Sequence, residues 1–145
     1  MLKNIPPILS PDLLHALRAM GHGDEIVIVD ANFPAESSGP PVIRLDGLLA
    51  TDVADAVLSL MPLDDFVPNA AFRMAVTGAP DSIPAVCAEF ASILTAAGYR
   101  GQVEPIERMA FYERAQLAYG IVATGEPRPW GNLILKKGTI VPAAE

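Results

Sequence analysis

Cysteine, histidine and positive charge are scarce in this sequence of 145 residues. It holds one cysteine, Cys87, and two histidines, His15 and His22. One cysteine cannot form an internal disulfide, and without any His-x-x-x-His or Cys-x-x-Cys spacing these residues argue against a catalytic metal. Seventeen acidic residues outnumber ten basic ones, and the net charge of -7 repels a phosphate backbone. We therefore expect no metal and no nucleic acid, and we expect a neutral small molecule as ligand.

Long apolar runs are also missing, although 51% of the residues are hydrophobic and the mean hydropathy is +0.33. No stretch approaches the ~18 apolar residues of a membrane-spanning helix. Residues 1–7 lack the pattern of a signal peptide. These absences predict a cytoplasmic protein with no membrane association. Because a small domain hides surplus apolar surface most easily against copies of itself, we also expect a homo-oligomer.

Helical and β-type patterns alternate along most of the chain, with no internal repeat or long linker. Predicted helices cover residues 11–20, 51–61, 84–97 and 111–118, the second of them capped by Thr51 or Asp52. Predicted strands cover residues 25–29, 42–45, 70–76, 103–106, 119–123 and 132–135. This alternation predicts one α/β domain over residues 1–145, with helices on both faces of a largely parallel sheet.

The stretch from Met20 to Pro34 carries the clearest candidate for chemistry. Gly21 and Gly23 flank His22 and leave the backbone beside the imidazole bare, so a ligand can approach closely. An imidazole ordinarily titrates near pH 6.5, which suits proton transfer at neutral pH. Asp30 follows the next strand, where it is either a ligand-binding residue at a carboxyl end or a turn residue bonding its own backbone.

Two later segments offer polar groups to such a site. Arg108 and Tyr112 lie in a charged segment that could contribute to the site, although the segment by itself is interpreted as a helix start with ordinary surface charges. Trp130 and Asn132 flank a glycine before the last strand. An aromatic ring can cover the C–H side of a sugar while an amide bonds its hydroxyls, but a turn with a packed tryptophan is equally compatible.

Four other residues with reactive side chains are expected to have no part in chemistry. His15 is expected to be a solvated surface residue, and Asp64 and Asp65 a solvated pair in a turn. Cys87 is expected to be a small packing residue, because no base or metal ligand is evident nearby.

Several reaction classes lack the residues they need. The Gly21-His22-Gly23 segment imitates the start of a dinucleotide fingerprint but follows a helix instead of a strand. No serine occupies a sharp strand-to-helix turn, as a nucleophile of a Ser-His-acid set would. The remaining hypothesis is proton transfer without cofactor or covalent intermediate, with His22 as acid or base and Asp30 among the groups that fix a hydroxylated ligand.

In combination, five segments resemble the L-fucose mutarotase and D-ribose pyranase family. They are Met20-Gly21-His22-Gly23-Asp24-Glu25, Asp30-Ala31-Asn32-Phe33-Pro34, Arg44-Leu45-Asp46-Gly47, Arg108-Met109-Ala110-Phe111-Tyr112-Glu113-Arg114-Ala115 and Gly131-Asn132-Leu133-Ile134-Leu135-Lys136-Lys137-Gly138. The resemblance extends over nearly the whole chain in order. The Phe-Tyr-Glu-Arg-Ala run is similar to the fucose branch.

This resemblance implies a ribose-pyranase-like fold and an enzyme that interconverts the α and β anomers of a free aldose, L-fucose first among them. It implies no cofactor and a ring-shaped oligomer, commonly a decamer, with active sites between neighbouring subunits. His22 matches the proton donor, Asp30 and Arg108 match substrate-binding positions, and Asn132 matches a sugar-contacting asparagine. Trp130 stands where the family usually has tyrosine. A non-catalytic sugar-binding or sensor protein of the same fold is the rival interpretation.

Overall fold

The computed structural model describes residues 1–144 and arranges four helices and six strands in one domain. In chain order the elements are α1 (Pro11–Ala19), β1 (Glu25–Val29), β2 (Val42–Leu45), α2 (Ala50–Leu58), β3 (Ala71–Met74), α3 (Ala85–Ala96), β4 (Val103–Ile106), α4 (Arg108–Gln116), β5 (Gly120–Thr124) and β6 (Leu133–Lys136). All ten predicted elements are present in the predicted order, with bounds shifted by a few residues.

The six strands form one sheet in the order β2-β5-β1-β6-β3-β4. Five strands run in the same direction, while β6 lies antiparallel between β1 and β3. The prediction of a largely parallel sheet is confirmed, with β6 as the exception. The carboxyl ends of β1 to β5 therefore meet at one border of the sheet, the carboxyl edge, and their amino ends meet at the opposite border, the amino edge.

Helices cover both faces of the sheet, as predicted. Along β1, Ile26 and Ile28 pack into the cluster that holds the buried sides of α1, α2 and α3. Val27 and Val29 point the other way, into a smaller cluster with Phe111 of α4. This alternation explains why β1 is a continuous apolar run, since a strand buried on both faces needs apolar residues at every position.

A local signal fixes where α1 begins, whereas α2 begins without a side-chain cap. Ser10 caps α1 by accepting a hydrogen bond from the Leu13 N–H at 3.2 Å, as its position before Pro11 suggests. The predicted capping of α2 by Thr51 or Asp52 is wrong. Leu49 occupies the N-cap without a side-chain hydrogen bond, and the buried Thr51 already lies in the first turn.

The helices are short, with nine to twelve residues each. At 1.5 Å per residue the longest is about 18 Å long. Over residues 1–144, no helix is long and apolar enough to cross a bilayer.

Candidate active site

The turn between α1 and β1 presents His22 at the amino edge. Lys137 fixes the end of α1, because its Nζ donates to the carbonyl oxygens of Leu17 at 2.6 Å and Met20 at 2.5 Å. The Gly23 N–H donates to the Lys137 carbonyl at 2.8 Å, and the φ of Gly23 is +88°, a conformation that favours glycine. The His22 side chain is 42% exposed. The turn therefore holds an accessible imidazole on a fixed backbone.

Asp64 forms a hydrogen bond with the imidazole of His22. Its Oδ1 lies 3.0 Å from His22 Nε2 and also accepts a hydrogen bond from the Phe66 N–H at 3.0 Å. The hydrogen bond from His22, followed by that from Phe66, lowers the pKa of the Asp64 carboxyl. Because the carboxylate accepts from Nε2–H, Nδ1 is the ring atom left to exchange a proton with a ligand.

The prediction that Asp64 belongs to a solvated pair is wrong, since its side chain is only 5% exposed. A bridge between Leu63 and Lys137 lays this turn against the end of β6 and brings Asp64 beside His22. Asp65 is exposed, as predicted. The ring of Phe66 is 5.2 Å from the imidazole and is 75% exposed, so an apolar side chain borders His22.

Asp30 and Asn132 form a buried pair at the carboxyl edge. The Asp30 N–H donates to Asn132 Oδ1 at 2.8 Å, and Asn132 Nδ2 donates to Asp30 Oδ2 at 3.1 Å. Asp30 Oδ1 accepts from the Asn32 N–H at 3.0 Å, which is the turn role left open by the sequence. Burial raises the pKa of the Asp30 carboxyl against the opposing effect of these hydrogen bonds. Asp30 thus bonds its own turn and orients Asn132 as well.

Ion pairs anchor the loop from Gly125 to Gly131, which precedes Asn132. The fully buried carboxylate of Glu126 accepts from Arg128 Nε at 2.7 Å, and Arg128 Nη1 also donates to Glu89 on α3 at 2.6 Å. Arg128 lowers the pKa of the Glu126 carboxyl. Trp130 follows with a φ of +69°, which is uncommon for a residue with a large side chain. Its side chain is partly buried and packs against both hydrophobic clusters.

Arg108 and Tyr112 lie on the first turns of α4, which starts after β4 and so also belongs to the carboxyl edge. Glu107 caps this helix, and the pKa of its carboxyl is lowered by hydrogen bonds from the N–H groups of Met109 and Ala110. Arg108 Nε donates to the Tyr112 hydroxyl at 3.0 Å. The Tyr112 ring is 5.4 Å from the ring of Phe33, which follows Asp30 in the chain.

Five of the six predicted site residues therefore lie at the carboxyl edge, and His22 lies at the other. The five are Asp30, Arg108, Tyr112, Trp130 and Asn132. The five residues of β1 that separate the edges span about 16 Å. One chain alone does not bring His22 to the other five residues. Within residues 1–144, no three His, Cys, Asp or Glu side chains are grouped so as to hold a metal.

A model of the RbsD / FucU transport protein family matches residues 3–140. The chain belongs to the RbsD/FucU family. It is 43% identical to the fucose mutarotase of Streptococcus pneumoniae, solved in complex with L-fucose, over 97% of this chain and 100% of that one, with a TM-score of 0.91. Protein Atu2016 is 45% identical over 97% of both chains, with a TM-score of 0.92. RbsD of Bacillus subtilis, solved with D-ribose, shares the fold at 24% identity and a TM-score of 0.73, over 97% of this chain and 100% of that one.

The sequence interpretation missed the groups that support the site residues. Asp64 contacts His22 across 42 residues of sequence, and only the pairing of its turn with Lys137 places it there. The sequence contained one hint of the ion pair between Glu126 and Arg128. These residues carry opposite charges, lie two positions apart and come just before Trp130 and Asn132. Charges in a loop are usually solvated, and nothing in the local pattern marks Glu126 as buried.

Proposed function

We propose that this chain is an aldose mutarotase that interconverts the α and β anomers of a free sugar, with L-fucose as the preferred substrate and no cofactor. Membership of the family and the likeness to a fucose mutarotase support this reaction class. The observation that carries the proposal is the accessible His22 imidazole, held at 3.0 Å by a carboxylate at the amino edge. A site that moves only protons needs no more reactive group.

The active site is completed by a second copy of the chain. Since the two edges are separated by the length of β1, the His22 of one subunit meets the carboxyl edge of its neighbour. Exposed apolar side chains border both halves of the site, with Phe66 beside His22 and Met109 beside Arg108. Association would cover both, which favours a closed ring such as the decamer implied by the family resemblance.

The proposed reaction adds one proton to the sugar and removes another. His22 donates a proton to the ring oxygen of the sugar while the proton of the C1 hydroxyl leaves to a polar partner. The bond between C1 and the ring oxygen breaks, and the aldehyde forms. Rotation about C1–C2 and reclosure on the other face give the second anomer and restore both protons. Asp64 holds the imidazole through its 3.0 Å contact with Nε2, which leaves Nδ1 to exchange the proton.

The carboxyl edge binds the sugar. Asp30 and Asn132 are oriented by their mutual hydrogen bonds and offer oxygen and amide groups to hydroxyls. Arg108 and Tyr112 supply further donors, and the Trp130 ring stacks on the apolar side of the pyranose. Tryptophan lacks the phenolic oxygen of the family tyrosine, so no proton is routed through this position here.

His22→Ala tests the catalytic assignment. Loss of general acid catalysis should slow exchange of L-fucose anomers by about 10²- to 10⁴-fold. NMR saturation transfer between the two anomeric protons measures this rate directly. His15→Ala, which removes the exposed histidine of α1, is the matched control and should retain the wild-type rate. Unchanged exchange in His22→Ala would remove His22 from the mechanism.

A panel of free aldoses that includes L-fucose and D-ribose tests the substrate. Acceleration should be greatest for L-fucose. The rival function, sugar binding without catalysis, gains its support from Trp130 in the place of tyrosine. It would show as a change in tryptophan fluorescence on adding sugar without any acceleration of anomer exchange.

A further inference from the structure

Arg73 is a buried arginine without a counter-charge. It lies in β3, is 6% exposed, and has Leu133 and Pro105 as its partners on the neighbouring strands. Its Nη1 is enclosed and has no hydrogen-bond acceptor within residues 1–144. None of the ion pairs in that part of the chain includes it. A buried N–H group left without an acceptor is destabilising, and a positive charge without a counter-charge in this part of the chain favours an anionic partner from outside it.

A cavity of about 430 Å³ opens beside Arg73, next to β4, the last strand on that side of the sheet. Its lining is mostly aliphatic or aromatic, and comprises Arg73, Pro80, Asp81, Ile83, Cys87, Ala91, Leu94, Thr95, Tyr99, Gly101, Gln102, Val103 and Pro105. Of these described residues, Arg73 is the one cation, and the exposed Asp81 is the one carboxylate. The cavity, called here the Arg73 pocket, therefore joins a single positive charge to an apolar wall.

Cys87 does not neutralise Arg73. The thiol is 1% exposed, and burial raises its pKa although the nearby guanidinium opposes that change. Cys87 Sγ instead makes a 3.4 Å contact as donor to the carbonyl oxygen of Trp130. The neutral thiol thus links the Arg73 pocket to the loop that carries the aromatic residue of the sugar site.

We propose that the Arg73 pocket binds a small organic monocarboxylate, with a carboxylate oxygen accepting from the Arg73 guanidinium and the hydrocarbon part against the aliphatic lining. A guanidinium suits a carboxylate because both are planar and their hydrogen bonds are charge-assisted. A single cation beside Asp81, in a chain of net charge -7, favours one negative charge over the two of phosphate. This site is separate from the proposed sugar site.

Binding of acetate, propionate and butyrate to the purified oligomer tests the proposal. Thermal unfolding and tryptophan emission would be followed at constant ionic strength in a buffer without carboxylate. Trp130 is the sole tryptophan, so its emission reports on the neighbouring loop without any measurement of catalysis. We expect a saturable rise in Tm and a change in emission, with butyrate tightest and a Kd on the order of 1 mM. Inorganic phosphate should have no saturable effect.

Arg73→Met removes the charge while keeping an unbranched apolar side chain, and should weaken butyrate binding by at least about tenfold. Arg73→Lys keeps the charge without the planar fork and should also weaken binding, which provides a second variant if the first folds poorly. Arg100→Met, at an exposed arginine, is the control and should bind as wild type.

Three binding results would overturn the proposal. They are the absence of saturable binding by any of the three acids, equal binding by wild type and Arg73→Met, and saturable binding of phosphate as tight as that of butyrate. A smaller oligomer in Arg73→Met would also overturn it, because a carboxylate of a second subunit would then be the partner of Arg73. Mutarotation is absent from these readouts, so this proposal and the proposed function can fail independently.

Discussion

The two edges of the sheet hold their polar groups in opposite ways. At the amino edge, His22 is 42% exposed and rests on one carboxylate, Asp64. At the carboxyl edge, Asp30 and Asn132 are buried and orient one another through two hydrogen bonds. The amino edge therefore presents an exposed imidazole, while the carboxyl edge holds a carboxylate and an amide in a fixed mutual orientation.

This contrast fits a division of labour between the two halves of the proposed site. A proton donor must reach the ring oxygen of a bound sugar, so exposure is useful to His22. Groups that fix hydroxyls gain from being held in place before the sugar arrives, because less conformational entropy is lost on binding. Under the proposed function, neither half carries out the reaction alone.

The largest effect should come from mixing two inactive variants. His22→Ala damages the amino edge, and the double variant Asp30→Asn with Arg108→Ala damages the carboxyl edge. If each site takes one edge from each of two neighbouring subunits, random co-assembly at equal amounts leaves both edges intact in about a quarter of the sites. Mutarotase activity by NMR should rise from near zero in either parent to about a quarter of the wild-type value.

A second mixture controls for any recovery of activity that does not come from combining two intact edges. Subunits carrying His22→Ala and subunits carrying Asp64→Ala are both damaged at the amino edge, so no site in their mixture has two intact edges. Its activity should equal the average of its two parents. Failure of the first mixture to exceed this control, with co-assembly verified by two affinity tags, would place the whole site within one subunit.

The loop that carries Trp130 should lose stability when its buried anchor is broken. Arg128→Met leaves the Glu126 carboxylate buried and unpaired. Breaking a fully buried ion pair costs about 3–5 kcal/mol, and because the Arg128 side chain is 35% exposed we expect about 2–3 kcal/mol in the free energy of unfolding. Urea unfolding at one fixed protein concentration measures this loss.

Two further variants separate the anchor from a general loss of charge. Adding Glu126→Gln to Arg128→Met removes the stranded carboxylate and should restore part of the stability. Arg44→Met removes an arginine whose partners are both exposed and should cost no more than about 1 kcal/mol. An Arg128→Met protein as stable as Arg44→Met would show that the loop does not depend on this pair.

The difference between the edges also explains what the sequence could reveal. The β1 pattern and its bordering glycines are local signals, so the strand and the placement of His22 before it were predictable. Asp64 was misinterpreted because its burial depends on pairing with Lys137, more than 70 residues later. Arg73 sits within a correctly predicted strand, yet only the fold shows that its neighbours across the sheet are apolar. Long-range packing, rather than local preference, decides these positions.

The smallest predicted effect concerns acid stability at the amino edge. The pKa of Asp64 is lowered in the folded state, chiefly by the hydrogen bond from His22. The stabilisation from this group is therefore present above the carboxyl pKa of the unfolded chain and is lost as the pH falls through the lowered folded value. The difference in Tm between wild type and Asp64→Asn should shrink as the pH falls from about 6 to about 3.

Asp65→Asn provides the baseline for losing one carboxylate from the same turn, because Asp65 is exposed and is not hydrogen-bonded to His22. In a His22→Ala background, the first partner of Asp64 is gone and the dependence of the Asp64→Asn effect on pH should become weaker. A Tm difference that stays constant or grows on acidification would mean that the carboxylate of Asp64 is not held in its charged form by the imidazole. The proposed role of the amino edge as proton donor would then lose the support of this hydrogen bond.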